Sequence, residues 1–392
     1  MSAGRVVALL VAGLALVGFA MWIASQRHLE RATLAGDLVL PDLEHHVNAV
    51  TEVALRKADG THTTLKRNGA GWSVGERGWP ADPGKVRKLL LDLGALNIVE
   101  EKTRLPANYP QLGVQDVDSP KATGTGTRIE VLTPARTWAL IVGKSSSAKS
   151  GYVRVANAPQ TLLAAPLLTV DADPKGWLDR ALIDVAPERV RQVEERPHQG
   201  PGFSASREKK EQTDFTVAPL PKGRELTSAG AADGIAGSLS SLTFDDVGKA
   251  SAAADASAAA HALFRTFDGL EVDVAGRKDG ARSLVTVSTH ATAKQTEAEA
   301  QTSNARLGGW EFEIPDYKYA AIFRPLEDLL KKPPAPAKKT TAESAPGKAP
   351  AAGKAPAAGK ASPAGKAPAA GQATVPGKDA SPDNPAPPDT PK

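Results

Sequence analysis

The chain has 392 residues, 41% of them hydrophobic, enough to bury a sizeable core and, on length, to form two or three domains. Its formal charge of +4 is unevenly placed: residues 331–392 hold ten lysines against four acidic residues, a net +6, which leaves the rest of the chain at −2. A nucleic-acid binder usually carries its basic patch on the folded part, so no nucleic-acid partner is expected of this body. With no cysteine, disulfides, thiolate metal sites, iron–sulfur clusters and cysteine nucleophiles are excluded.

The first element in the chain is VVALLVAGLALVGFAMWIA, Val6 to Ala24, 19 uncharged apolar residues. At ~1.5 Å rise per residue such a helix crosses a ~30 Å hydrocarbon core. A cleaved signal peptide is the alternative, but a cut after Ala24 puts Trp22 where a small residue is wanted, so an uncleaved anchor in the lipid bilayer is favoured. Residues 1–30 are read as this anchor. Arg5 precedes the span and Arg27 and Arg31 follow it, so the charges orient it weakly, and signal-anchor logic places the body outside the cytoplasm. The expected location is the cell inner membrane, single-pass, with a periplasmic body.

Short alternating segments follow. VTEVALRK (Val50 to Lys57) and THTTLKR are joined by an Asp-Gly pair, and GWSVG comes after Asn68-Gly69, a pattern that predicts an antiparallel meander. Asp82-Pro83 then offers an N-cap and first helical residue. Val86, Leu89, Leu90 and Leu93 form an i, i+3, i+4, i+7 stripe that predicts a helix packed on a sheet. TRIEVL, TWALIVG and GYVRVA read as three more strands.

The same order comes round again from Pro187. ERVRQVEE, GFSASREKK and TDFTVAPL predict three strands, and SAGAADGIAGSLSSLTF a helix carrying Ile235, Leu239 and Leu242. GLEVDVAG, RSLVTVST and LGGWEFEIPDYKY predict the closing strands. This pattern implies an internal duplication of about 140 residues per copy, with DPKGWLDRALIDV as a helical joint. YAAIFRPLEDLLKK then predicts a short amphipathic helix broken by Pro325. The expected fold class is therefore α+β: an N-terminal transmembrane helix, then tandem repeats of mostly antiparallel sheet with a packing helix over residues 42–183 and 184–330. Residues 331–392 repeat Gly-Lys at a six-residue spacing and hold little that can be buried, which predicts a disordered tail. It would span ~45 Å as a flexible coil.

Three stretches raise the question of chemistry. Gly69, Gly71 and Gly75 imitate a phosphate loop, but the strand before them is half polar and Trp79-Pro80 intervenes before any helix, so turn chemistry explains them better. Ser146-Ser147-Ala148-Lys149 matches S-x-x-K, which needs the serine to open a helix; here it lies between two predicted strands, where a solvated hairpin loop is expected. His45 and His46, with Asp42, Glu44 and His62 nearby, suggest a metal, yet adjacent histidines on an extended segment point to opposite faces. No catalytic, cofactor-binding or metal-binding residue is assigned, and no enzyme activity or cofactor is expected.

Val50, Val53, Leu55, Gly60, Leu65, Arg67, Gly69, Gly71, Trp72 and Val74 together form a pattern that resembles the bacterial domain-of-unknown-function family 4340. Leu93 and Leu96, Tyr109, Leu112-Gly113-Val114, Pro120, Val142-Gly143-Lys144 and Trp177-Leu178-Asp179-Arg180 extend the resemblance to about Glu195. Its fold-signature positions are Gly69, Gly71, Trp72, Leu93, Gly113 and Trp177, with Trp72 read as a core tryptophan. The resemblance implies an envelope-anchored, non-enzymatic protein that serves as auxiliary or scaffold component of a gliding-motility-type ABC transport complex, with that membrane complex as partner. Because the Lys-rich tail could itself hold wall polymers or anionic lipid, a tether for cell wall or polyanion is the alternative.

Overall fold

The computed structural model of the protein describes residues 36–119, 126–251 and 259–332. The expected anchor and nearly all of the Gly-Lys tail lie outside these residues. Among the described residues no helix is long and apolar enough to cross a membrane.

In the first half α1 (Leu43–His46) leads into β1 (Glu52–Lys57), β2 (His62–Asn68), β3 (Gly71–Val74) and β4 (Trp79–Pro80). Then come α2 (Pro83–Gly94), β5 (Asn97–Glu101), α3 (Tyr109–Leu112), β6 (Thr127–Leu132), β7 (Thr137–Ser145), β8 (Gly151–Val155) and β9 (Thr161–Ala165). The nine strands form one antiparallel sheet in the order β4-β3-β2-β1-β6-β7-β8-β9-β5. The predicted turns are present: Gly60 and Gly69 have positive φ and close the β1–β2 and β2–β3 connections. Asp82 caps α2, its carboxylate accepting from the Gly84 and Lys85 amides at 2.8 and 3.1 Å. The stripe Val86, Leu89, Leu90 and Leu93 is buried on the sheet in one core with Val53, Leu55, Leu65, Ile129 and Leu140.

The opposite face of this sheet is covered by α3 and the turn after it. Tyr109, Val114 and Ile141 form a small second core there. Arg154 is buried beside them, its Nε donating to the Val114 carbonyl at 2.9 Å and its guanidinium lying 4.7 Å from the Tyr109 ring centroid. Gly113 ends α3 with φ 73°. Its neighbours press so closely on β7 that a Cβ on Gly143 would collide with the Leu112 carbonyl oxygen and stand 2.7 Å from Val114 Cγ1. The Leu-Gly-Val and Val-Gly-Lys signatures are thus two sides of one backbone contact.

The chain crosses to the second half through a single 3-10 turn, Pro174–Trp177, and β10 (Ala181–Ile183). The expected helical joint is not there: Pro174 and Gly176 sit inside the segment, and the Trp177 Nε1 donates to the Asp171 carbonyl at 2.7 Å to fold it into one turn. Next come β11 (Val190–Arg196), β12 (Phe203–Ser206), β13 (Thr216–Ala218), α4 (Asp233–Ala236), β14 (Leu242–Thr243), β15 (Asp246–Lys249) and β16 (Ala260–Thr266). β17 (Leu270–Asp279), β18 (Arg282–Ala291), α5 (Glu297–Leu307), β19 (Trp310–Ile314), α6 (Asp316–Ile322) and α7 (Leu326–Leu329) complete it. β10 pairs with β14, and the eight-stranded sheet has the order β13-β12-β11-β16-β17-β18-β19-β15. Apart from β4, the two sheets place their strands in the same sequence of chain positions: three consecutive strands run outward, the next four run the other way, and the strand after the helical segment returns to the far edge.

The predicted long helix at 228–244 shrinks to the four residues of α4. Three glycines and a run of serines make that segment a poor helix, and Ser241 takes a positive φ. Ile235, Leu239 and Leu242 are nevertheless all buried. The helix that does pack on this sheet's β18, α5, buries only Ala300 and Leu307 and so shows no apolar stripe. His45 and His46 lie in α1, not on an extended segment, and His46 leans on Trp138 at 5.7 Å.

Gly143→Ala should cost about 1–3 kcal/mol through overpacking, whereas Gly71→Ala, with nothing closer than 3.9 Å, should stay within about 0.5 kcal/mol of the parent. Urea unfolding of the two variants measures the difference.

Candidate functional site

Two sheet edges meet where the halves touch: β4, the last strand of the first sheet, and β15, the last of the second. β4 is two residues long and contains Pro80, so it cannot extend its ladder. What it offers instead is Trp79, which is 1% exposed. Its indole stands edge-on to Phe244, Trp310 and Phe312 at 5.7, 5.4 and 5.1 Å, all from the second half. Its Nε1 donates to the Asp179 carbonyl at 2.9 Å. Two backbone bonds flank this contact, Asp82 N to Trp177 O at 2.8 Å and Asp179 N to Pro80 O at 3.0 Å.

Beside the aromatic cluster, the turn between β3 and β4 carries Arg77 across to β15. Arg77 Nε and Nη2 donate to the two carboxylate oxygens of Asp246 at 2.6 and 3.1 Å, a bidentate fork. Lys175 of the joint approaches the same carboxylate at 3.2 Å, and the Val247 amide donates to it at 2.9 Å. Burial works against the Asp246 charge, but Arg77, the Val247 amide and Lys175 together hold it below the usual aspartate range. The hydrogen bond to Asp246 raises Arg77 in turn.

A cleft of about 410 Å³ opens over this pair, lined by Glu76, Arg77, Asp246, Lys249, Glu311 and Glu313 among others. Its charges are largely engaged already. Glu76 accepts the Thr64 amide with both oxygens, Glu311 holds Arg277 at 2.7 and 2.8 Å, and the Lys249 ammonium sits 3.4 Å from the Trp310 ring centroid. Such a cleft suits recognition of a polar partner group by exchange of ion pairs better than it suits proton abstraction, which needs a poised base.

The residues singled out in the sequence do not converge here. Gly69 and Gly71 lie at the β2–β3 turn; Trp72, on β3, is only half-buried against the core, whereas Trp79, seven residues on, is fully enclosed. Leu93 is in the α2 core, Gly113 at the β7 contact, and Trp177 in the joint, where its carbonyl takes the Asp82 amide. Ser146 and Lys149 are exposed in the β7–β8 hairpin, whose Ser147 and Ser150 hydroxyls bond each other at 2.8 Å. No helix starts at Ser146. Among the described residues no group of three or more His, Asp or Glu could hold a metal ion. Sequence reasoning passed over Arg77, Trp79 and Asp246; a Trp-Pro pair too short for a strand of its own was the available signal.

A family model described as a domain of unknown function, DUF4340, matches residues 72–262. The match begins in β3, contains Arg77, Trp79 and Asp246, and runs into β16. No curated protein and no solved structure matches the chain.

Trp79→Ala removes the wedge between the sheets and should destabilise the protein by about 3–5 kcal/mol, read by urea unfolding. In a double-mutant cycle, Arg77→Met with Asp246→Asn should show a coupling of about 0.5–3 kcal/mol. The Asp246 contribution is present above the unfolded aspartate value of 3.8 and lost as pH falls through the lower folded one, so Asp246→Asn should flatten the acid limb of the stability curve.

Proposed function

We propose that the chain, which matches the DUF4340 family model over residues 72–262, is a non-enzymatic, single-pass envelope protein whose paired sheets act as an auxiliary or scaffold component of an ABC-type membrane transport complex. The observation that carries this reading is the seam: two sheets are locked by Trp79 into one body, and the cleft above them has its charges largely engaged by neighbouring groups. That combination offers a firm, polar surface for another protein. The apolar run from Val6 to Ala24 supports membrane anchoring with the body in the periplasm, and the shared strand order of the sheets supports an origin by internal duplication, with units at residues 42–183 and 184–330.

The second reading, a tether for cell wall or polyanion, is favoured by the Gly-Lys repeat of residues 331–392, whose net +6 contrasts with the −2 of the rest. Mild-detergent extraction followed by affinity purification separates the two. The scaffold reading expects transporter subunits to co-purify with the full chain and with a chain lacking residues 331–392. Loss of envelope association on removing that tail, with no membrane protein recovered in either case, would favour the tether. Recovery of the full chain alone, under conditions that keep other membrane complexes intact, would overturn the scaffold reading.

A further inference from the structure

Glu195 is the least expected side chain in the second sheet. It lies on β11 between Phe203 of β12 and Ala262 of β16. Its exposure is 1%, and neither carboxyl oxygen has a hydrogen-bond partner. Its face of the sheet is apolar: Val193, Ala205 and Phe264 are buried around it.

The charged groups on surrounding elements are occupied elsewhere. On the other face of β11, Glu194 pairs with Arg196 and with Arg265 of β16. His261 of β16 faces Asp273 of β17. Arg207, just past β12, gives its guanidinium to the carbonyls of Val190, Gln212 and Pro187. Asp233 of α4 accepts the Phe215 amide. On α6, Lys318 bonds Thr243, and Tyr319 lies under the Lys278 ammonium.

We propose that Glu195 is a protonated carboxyl sealed in this core, and that losing its proton opens the β11–β13 corner of the second sheet. A carboxylate cannot stay unpaired in an apolar interior; it must reach water or find a cation. The nearest way out is at the sheet edge. Only β12, four residues, and β13, three residues, lie outside β11. Glu195 is also one residue from the end of its strand, where a Cβ on Gly202 would stand 2.8 Å from the Glu195 carbonyl oxygen, so the hairpin is pressed directly onto it. Peeling β12 and β13 away would expose Phe203 and Val217 and leave β11 as a new edge open to strand pairing.

Burial alone pushes the Glu195 carboxyl up to about 9 from 4.5. The sign follows from that direction. Below 4.5 folded and unfolded chains both hold the proton and nothing is lost. Between 4.5 and 9 an opened corner releases the proton while the closed sheet retains it, so closure of the corner weakens about tenfold per pH unit. Near and above 9 the local opening competes with the closed sheet.

Amide hydrogen exchange on the full chain, corrected for intrinsic rates, tests this at pH 6, 8 and 10. The expected result is a loss of protection across residues 190–218 of about a hundredfold between pH 6 and 8 and about tenfold more between pH 8 and 10, larger than any loss in β6 to β8. Glu195→Gln and Glu195→Met should abolish the difference between the two regions. Equal pH responses of the two regions in the parent protein, or an unchanged corner response in either folded variant, would overturn the proposal. Should neither variant fold, the comparison within the parent protein decides alone.

Discussion

One tryptophan governs how the halves of this protein meet. A sheet edge normally has to be hidden, charged or paired, and here two edges hide each other. β4 is too short and too proline-bound to extend a ladder, so it presents Trp79 edge-on to Phe244, Trp310 and Phe312, and β15 answers with Asp246 for Arg77. The aromatic wedge supplies apolar burial and the ion pair fixes the register of one edge on the other. Around them most of the buried apolar residues of both sheets form one hydrophobic cluster. The joint at Trp177 and the β10–β14 pair follow the same seam and have little freedom once it closes.

Much of the first sheet was legible in the sequence because its signals are local. Period-two strands, Asp-Gly and Asn-Gly turns, the Asp82 cap and the Leu-rich stripe of α2 each act within a few residues. The second half was harder to read. α5 packs through Ala300 and Leu307 only, so its periodicity is nearly silent, and α4 lies in a glycine- and serine-rich stretch whose apolar residues are spaced as a helix yet pack as turns. β15 is hard to read for a related reason: the short segment Asp246–Lys249 becomes a strand only because a distant partner, β19, lies alongside.

The candidate site was the least legible part, since it is made entirely of long-range contacts. Arg77 and Asp246 are 169 positions apart, and nothing near either residue announces the other. The residues that carry the resemblance to the family behave in the opposite way. Gly113 and Gly143 mark a close backbone approach between α3 and β7, Trp177 and Leu93 mark packing, and none of them touches the cleft. Those residues maintain the scaffold, and the charged cleft is built from positions that carry no motif.

The central claim is that the two sheets form one cooperative body across the Trp79 seam. Differential scanning calorimetry of the full protein tests it most directly, by comparing calorimetric and van't Hoff enthalpies of unfolding. One transition with the two enthalpies equal is expected. Two separable transitions in the parent protein, one for each sheet, would contradict it.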